Sequence, residues 1–168
     1  MPVGYLRHRV AAAKRQESTA SRVLTHIKVS AGRATGVGAG ILFYAKDTGR
    51  FLIGLRSAEC EAPQTWANFG GGVERGETPE QGAKREVWEE AGYKGPVELE
   101  LMHSSKQPGF TYHNFLGTVE SEFVPKLNDE HTDHLWTPMS EFPDDLHPEF
   151  AKALQSPEAR RVLRSLGV

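Results

Sequence analysis

The sequence predicts an α/β fold in which helices lie on both sides of a mixed β-sheet. Two observations carry this prediction: strand-like segments stand on both sides of one longer helical segment, and two further helical segments follow at the carboxyl end. At 168 residues, with 38% hydrophobic and 25% charged residues, the chain has the length and composition of one folded domain. No apolar run approaches the roughly 20 residues of a membrane span, so no membrane association is expected.

The first part of this domain is predicted to contain strand, turn, strand, loop and strand in that order. Residues 37–45 are largely apolar and predict a buried strand, and residues 46–50 predict a turn into a second strand at residues 51–56. Residues 57–65 include a proline and predict a loop before a short strand at residues 66–69. The first two strands are expected to pair as a hairpin.

One helix is marked by cap residues at both ends. Thr78 can cap its amino-terminal end, Pro79 suits its first turn, and Gln81 completes a capping box. Gly92 supplies the stop. Ahead of the helix, residues 70–77 are rich in glycine, which predicts a loop whose backbone can come close to a ligand.

The second half of the chain predicts three strands and two helices. Residues 97–103 alternate apolar and polar side chains, residues 110–119 are aromatic and β-branched, and residues 134–137 predict a short strand closed by a proline. Residues 148–155 and residues 157–166 each begin with a proline, which favours a helix in both places.

Three carboxylates are crowded onto one part of the first predicted helix. Glu86, Glu89 and Glu90 stand at positions i, i+3 and i+4, which places them within about a third of the helix circumference. Like charges at this spacing disfavour an isolated helix by a few tenths of a kcal/mol each, and a bound divalent ion turns that repulsion into attraction. The pattern predicts a magnesium site that suits a diphosphate. A solvated helix face with ion pairs is the alternative.

The stretch from Gly71 to Tyr93 resembles the Nudix box, G-x5-E-x7-R-E-U-x-E-E-x-G-U, in which U is an aliphatic residue. Every fixed letter of that pattern is present, and only the closing position departs, where Tyr93 replaces an aliphatic residue. We expect this departure to change packing and to leave the chemistry in place. The resemblance implies a Nudix-type α/β/α sandwich with a mixed β-sheet, a central helix that bears the carboxylates, and a hydrolase that cleaves phosphoanhydride bonds.

The resemblance also implies a set of metal ligands. Glu89 and Glu90 would be the main side-chain ligands, and Glu86 would be a further ligand or the base that activates water. Gly70 would contribute its carbonyl oxygen to the metal. The implied cofactor is Mg²⁺, with Mn²⁺ as an alternative.

Other residues near the motif are predicted to orient the carboxylates or to bind substrate. As in the family, Arg85 would hold the carboxylates through charge-assisted hydrogen bonds, with Glu77 as its partner. Arg56 ends a strand ahead of the glycines and would meet a substrate phosphate, or else form an ordinary surface ion pair. Gly71 and Gly72 are expected to let the backbone approach the substrate.

A polar loop at residues 128–134 offers one more carboxylate. Enzymes that resemble this chain often place an extra metal ligand or a water-activating base in such a loop. Glu130 is the candidate, ahead of Asp129 and Asp133, and a solvated turn is the alternative.

Charge is divided unevenly along the chain. Residues 1–34 carry seven Lys or Arg residues against one acidic residue, a charge of +6, and the remainder carries thirteen against twenty-one, a charge of −8. We therefore divide the chain into a basic amino-terminal arm, residues 1–34, and a Nudix hydrolase domain, residues 35–168. The arm could pack on the domain, act as a transit peptide or contact a polyanion. Cys60 is the only cysteine, so no internal disulfide is expected and a cytoplasmic location is predicted.

The predicted function is the Mg²⁺-dependent hydrolysis of a nucleoside diphosphate linked to another group, X. The sequence leaves X open among nucleotide sugars such as ADP-ribose, nucleoside triphosphates and dinucleoside polyphosphates. A non-catalytic nucleotide-sensing module and an enzyme that processes RNA 5′ ends are the alternatives. Neither is favoured, because every carboxylate of the motif is present and no aromatic-rich RNA motif is found. A nucleotide is the expected substrate, nucleic acid is not favoured as a partner, and a homodimer stays open because related enzymes often pair.

Overall fold

The computed structural model describes residues 34–167, which contain a seven-stranded β-sheet and three α-helices. The strands are β1 (Ala34–Ala45), β2 (Arg50–Arg56), β3 (Trp66–Ala67), β4 (Phe69–Glu74), β5 (Glu98–Gln107), β6 (Phe110–Val119) and β7 (His131–Thr137). The helices are α1 (Pro79–Ala91), α2 (Pro148–Gln155) and α3 (Pro157–Ser165), and a 3₁₀ turn spans Met139–Glu141.

The sheet combines parallel and antiparallel pairs. Strands β3, β2, β1, β6 and β5 lie side by side in this order, while β4 also pairs with β1 and β7 also pairs with β2. β1 and β6 run parallel, from Val37 opposite Thr111 to Ala45 opposite Val119, and the other pairs between these strands are antiparallel. The predicted α/β fold with a mixed sheet is confirmed.

Helices cover both faces of this sheet. Side chains alternate between the two faces along a strand, so Ile41 and Phe43 of β1 pack in one cluster with Val87 of α1. Leu42 packs in a second cluster with Phe150 of α2 and with side chains of α3. All five of these side chains are at most 4% exposed. The sheet therefore has an α1 face and an α2–α3 face, and the layers form an α/β/α sandwich.

The glycine-rich segment differs from its prediction, because its first half is a strand and not a loop. Phe69–Glu74 form β4 and pair with β1, which places Gly70 opposite Gly40. A side chain on Gly70 would collide with the Cα of Gly40 and with the hydroxyl of Tyr112. Glycine composition alone indicated an open loop, whereas here the missing side chains let two strands approach closely enough to pair.

The other elements lie at or near their predicted positions. The strand predicted at residues 110–119 and the helix predicted at residues 148–155 have the predicted bounds. β5 and β7 are longer than predicted, since β5 continues to Gln107 and β7 begins at His131. The strand predicted at residues 66–69 is divided between β3 and β4.

The basic arm predicted at residues 1–34 lies outside the described residues except for its last residue. Its suggested roles therefore stay predictions. Within residues 34–167, no helix is both long enough and apolar enough to cross a membrane.

Candidate active site

Both ends of α1, the helix that carries the three carboxylates of the motif, are fixed by hydrogen bonds. The Gln81 amide donates to Thr78 Oγ1 at 3.2 Å, and the Thr78 amide donates to Gln81 Oε1 at 2.8 Å. Gly92 takes the left-handed conformation with φ of 66°, and its amide donates to the Trp88 carbonyl at 3.0 Å. These are the caps that the sequence predicts, and they fix where the carboxylates of α1 stand.

Arg85 connects β4, the following turn and α1 through its guanidinium. Nε donates to Glu77 Oε1 at 2.8 Å and Nη2 donates to Glu77 Oε2 at 3.1 Å, which is a bidentate pair. Nη2 also donates to the Gly72 carbonyl at 2.7 Å, and Nη1 donates to Glu86 Oε1 at 2.6 Å. The bond to Arg85 lowers the pKa of Glu77, with burial acting in the opposite direction. The Gly72 carbonyl is therefore engaged by Arg85, and the predicted approach of the Gly71–Gly72 backbone to the substrate stays a prediction.

Glu86 lies against β4 with a side chain that is 15% exposed. A Cβ at Gly71 would approach the carboxyl carbon of Glu86 to 2.7 Å, so this glycine provides the space that the carboxylate occupies. Burial raises the pKa of Glu86, the Arg85 guanidinium lowers it, and the charges of Glu89 and Glu130 raise it again. The net result is a raised pKa, because burial outweighs the Arg85 counter-charge.

Glu90 is enclosed by the protein and is only 2% exposed. The Gly70 amide donates to its Oε2 at 2.8 Å, and this bond lowers the pKa of Glu90. Burial and the charges of Glu130 and Glu86 outweigh that bond, so the pKa stands well above 4.5. Gly70 was expected to act through its carbonyl oxygen, and the contact seen here is made by its amide. Repulsion among three carboxylates is the condition that a bound cation relieves.

Glu89 lies farther out on the same helix. Its side chain is 48% exposed, and its Oε1 lies 3.5 Å from Arg85 Nη1. Within residues 34–167, no group of three or more His, Cys, Asp or Glu side chains stands close enough together to hold a metal ion. The carboxylates of the motif therefore form an open arrangement and not a closed cage.

Glu130 joins these carboxylates from a distant part of the chain. Its carbonyl accepts the Ser57 amide at 2.8 Å, and its own amide donates to Asn128 Oδ1 at 3.0 Å. The Asn128 amide donates to the carbonyl of Glu90 at 3.2 Å, which attaches the loop to the end of α1. The Glu130 charge raises the pKa of both Glu86 and Glu90. Asn128 was missed in the sequence, where nothing marks it as a partner of α1.

Arg56 and Tyr112 stand beside the buried carboxylates. The Arg56 charge lowers the pKa of Glu90, and Arg56 Nε donates to the Glu61 carbonyl at 2.8 Å. Within residues 34–167, Arg56 forms no side-chain ion pair. Burial, followed by the Glu90 charge, raises the pKa of Tyr112, so its hydroxyl stays protonated. The site thus has one guanidinium that is free of a carboxylate partner in the described residues.

His131 lies opposite Arg56 in the pairing of β7 with β2. It is 5% exposed, and neither ring nitrogen has a hydrogen-bond partner within residues 34–167. Its ring packs on Phe69 with centroids 4.7 Å apart. Burial, followed by the Arg56 charge, lowers the pKa of His131 to about 4, so the ring is neutral at pH 7.

Comparison with known proteins assigns this arrangement to a family. A family model described as the NUDIX domain matches residues 34–156. The chain belongs to the Nudix family. The matched range runs from β1 to the end of α2, so it contains α1, the Arg85 contacts and the Glu130 loop described above.

Two relatives and one solved structure illustrate the similarity of this Nudix chain to known enzymes. Dihydroneopterin triphosphate diphosphatase from Haemophilus influenzae is 32% identical over 114 residues, which are 57% of this chain and 70% of that protein. Oxidized purine nucleoside triphosphate hydrolase from Mus musculus is 32% identical over 115 residues, 66% of this chain and 63% of that protein. The crystal structure of RenU, a Nudix hydrolase from M. smegmatis, matches with a TM-score of 0.66 and 27% identity over 76% of this chain and 85% of that chain.

These findings confirm the predicted class of enzyme. The protein is a Nudix hydrolase that acts on the phosphoanhydride bonds of nucleoside phosphates. Enzymes of this family generally use a divalent metal ion. The alternative of a non-catalytic sensing module is therefore set aside.

Proposed function

We propose that this Nudix enzyme hydrolyses the pyrophosphate linkage of a nucleoside triphosphate with Mg²⁺ as its cofactor. The observation that supports this most is the buried Glu90 carboxylate, whose pKa is raised by burial and by the charges of Glu130 and Glu86 and lowered by the Arg56 guanidinium. Carboxylates of this kind hold a divalent ion, and an arginine fork complements phosphate oxygens. Together they suit a polyphosphate chain.

All of the candidate ligands are oxygen donors, the type that a hard divalent cation prefers. Glu86 and Glu90 would hold the ion, Glu89 would reach it from the exposed side of α1, and Gly70 would add its carbonyl oxygen. Mg²⁺ is commonly held by one or two carboxylates together with substrate phosphates, which agrees with an open set of ligands within residues 34–167. Ligands that are all oxygen also admit Mn²⁺. When bound, the ion supplies neutralisation of phosphate charge and lowers the pKa of a water molecule.

We assign the orientation of the carboxylates, the proton transfer and the binding of phosphate to side chains of the protein. Arg85 keeps the Glu86 carboxylate in place, and Glu77 keeps Arg85 in place. Glu130 is the base that we propose, because its backbone is anchored while its carboxylate accepts no hydrogen bond within the described chain. That carboxylate takes the proton of the attacking water, which enters in line with the leaving group: pyrophosphate after attack at the α-phosphorus, or the nucleoside monophosphate after attack at the β-phosphorus. Arg56 contacts the substrate phosphates. Glu86 is the alternative base, although one of its oxygens is engaged by Arg85.

The substrate class that we favour is a triphosphate attached to a fused two-ring base. One relative is named for dihydroneopterin triphosphate and the other for oxidized purine nucleoside triphosphates, and both names describe triphosphates of bicyclic heteroaromatic groups. A nucleotide sugar such as ADP-ribose and a dinucleoside polyphosphate are the alternatives for X.

A substrate panel tests this proposal directly. The full chain would be incubated with Mg²⁺ and dihydroneopterin triphosphate, 8-oxo-dGTP, dGTP, ADP-ribose or diadenosine tetraphosphate in ¹⁸O-labelled water. Mass spectrometry would identify the products, and the labelled product would reveal which phosphorus is attacked. We expect pyrophosphate and a monophosphate, with kcat/KM at least about tenfold higher for a bicyclic triphosphate than for the last two substrates. A preference for ADP-ribose or diadenosine tetraphosphate would refute the substrate class.

A cytoplasmic location and a homodimer are further parts of the proposal. The Cys60 thiol donates to the Glu130 carbonyl at 3.5 Å, and a free thiol is compatible with a reducing compartment. Cell fractionation tests the location. Sedimentation equilibrium tests the dimer.

A further inference from the structure

We propose that α1 carries a second binding site, for a nucleoside monophosphate, on the flank turned away from the carboxylates. A cleft of about 560 Å³ lies between α1 and the loop at residues 93–97. Lys84 and Trp88 line it, and each stands two residues from Glu86, which is about 160° around the helix. A volume of this size falls within the range of about 300 to 1,000 Å³ that small-molecule sites occupy. Among the described residues, no carboxylate lines the cleft, and Arg85, which bonds Glu86, forms the wall between the cleft and the carboxylate site.

The wall of this cleft is built by Tyr93, the one position that departs from the Nudix pattern. Its ring stacks on Phe123 with centroids 4.1 Å apart, and its hydroxyl donates to the Pro96 carbonyl at 2.6 Å. Gly95 leaves room for the ring, because a Cβ there would lie 2.6 Å from the Tyr93 hydroxyl. An aliphatic residue at position 93 could not make the bond to Pro96. The loop is therefore held in place by the one residue that departs from the motif.

Within the described chain, the cleft offers one exposed aromatic ring and three cations, of which Arg85 is already engaged by hydrogen bonds and two are lysines. Trp88 is 47% exposed, and Lys94 Nζ lies 3.8 Å from the centroid of its ring. Lys84 and Lys94 form no ion pair within residues 34–167, and no acidic residue lines the cleft. Phe43 and Val87 give it an apolar floor. An aromatic surface flanked by unpaired cations attracts a planar anion.

The charge and the aromatic ring of the cleft favour a nucleotide over other ligands. A base can stack on Trp88, and a phosphate can meet Lys84 and Lys94. An apolar partner would bury those lysine charges without compensation. A nucleoside monophosphate can stack on the Trp88 ring, pair with the lysines and fit the volume of the cleft. Its binding does not depend on the proposed reaction.

The test is binding of AMP in EDTA, which removes the divalent ion that the carboxylate site requires. The full chain would be titrated with AMP and followed by calorimetry and tryptophan fluorescence. We expect saturable binding of one AMP per chain, with adenosine and inorganic phosphate each about tenfold weaker because each supplies half of the recognition. Trp88→Ala and the double variant Lys84→Glu/Lys94→Glu should each weaken AMP binding about tenfold.

Matched controls separate the cleft from general effects of charge and folding. Lys106→Glu/Lys152→Glu makes the same change of charge elsewhere and should bind AMP like the unaltered protein. Trp88→Phe keeps an aromatic ring and should stay within about threefold, which excludes misfolding as the cause of a loss.

Several outcomes would overturn the inference. These are an absence of saturable AMP binding in EDTA, equal losses in the cleft and control variants, and loss of AMP binding in Glu90→Gln, which would place the nucleotide at the carboxylates. Dissociation of a dimer by Trp88→Ala in sedimentation would show that a second copy fills the cleft. If AMP binds as expected but no triphosphate is hydrolysed, the second site stands and the proposed function fails.

Discussion

The two faces of the sheet bury chemically different groups. On the α2–α3 face, Phe150 and Leu163 belong to an apolar cluster. On the α1 face, Phe69 and Val87 belong to a comparable cluster, yet the Glu90 carboxylate is enclosed beside them at 2% exposure. Burial stabilises a phenyl ring and raises the free energy of an ionised carboxylate. One face of the sheet therefore contributes mainly to stability, and the other face holds a buried carboxylate whose charge opposes stability.

The largest expected effect is on stability, from a substitution on the α2–α3 face. Phe150→Ala should lower the free energy of unfolding by about 3 to 5 kcal/mol, because it leaves a cavity in a well-packed cluster. Urea denaturation measures this, and kcat at a low temperature should be unchanged. Phe150→Leu is the milder variant if the alanine variant does not fold. A reduced kcat in a fully folded variant would show that the two faces are not independent.

The opposite pattern is expected on the α1 face. Glu90→Gln should lower kcat at least about 100-fold, because it removes a charge that holds the metal, while the melting temperature without metal stays equal or rises. Mg²⁺-dependent turnover and thermal unfolding in EDTA measure the two effects. Glu80→Gln, an exposed change on the same helix, should alter neither. Unchanged turnover of Glu90→Gln at saturating Mg²⁺ would contradict the site assignment.

A smaller loss is expected when the orientation of the carboxylates is disturbed. Arg85→Lys keeps the positive charge but loses the fork that bonds Glu77, Gly72 and Glu86, so kcat should fall about 10- to 100-fold with little change in KM. Steady-state kinetics measure both constants. Arg75→Lys is the matched control on an exposed arginine. A rise in KM at constant kcat would instead assign Arg85 to substrate binding.

The smallest effect is a difference in how stability depends on pH. The folded pKa of Glu90 is raised, so the folded state binds its proton more readily and this group destabilises the fold as pH rises from 4.5 through the raised pKa. His131 acts in the opposite sense, since stability falls as pH drops from 6.5 towards about 4. Urea unfolding in EDTA from pH 5 to 8 should show Glu90→Gln gaining stability over the unaltered protein as pH rises, because the His131 effect is common to both. A constant difference would be evidence against an elevated Glu90 pKa.

The parts of this molecule that local chemistry determines were predictable from sequence. Thr78, Gln81 and Gly92 delimit α1 as predicted because capping depends on residues within one turn. β4 was predicted as a loop because its pairing depends on Gly40, a residue thirty positions away in the chain. The glycine content of a segment indicates that its backbone can take many conformations. Whether the segment forms a strand depends on the strand that pairs with it.

In the candidate site, too, the local features were predictable and the features that depend on distant residues were not. Helical spacing placed Glu86, Glu89 and Glu90 on one part of α1, but it could not distinguish the enclosed Glu90 from the half-exposed Glu89. That distinction depends on where β4 lies, and on the Gly70 amide that meets Glu90. The hydrogen bond from the Asn128 amide to the Glu90 carbonyl could not be predicted either, because it joins backbone atoms of residues that are far apart in the sequence.

The hydrogen bond from the Asn128 amide to the Glu90 carbonyl has an implication for how the enzyme can vary. Backbone atoms make this bond, so it depends on the number of residues in the connection before Asn128 and is a separate constraint from the packing of Phe123 and Leu127 on the core. Removing or inserting a single residue there would shift the offset of Glu130 from α1 by about 3.3 to 3.6 Å, which exceeds the reach of a hydrogen bond. We therefore expect deletions and insertions in this connection to lower turnover even when the core residues of the segment are kept.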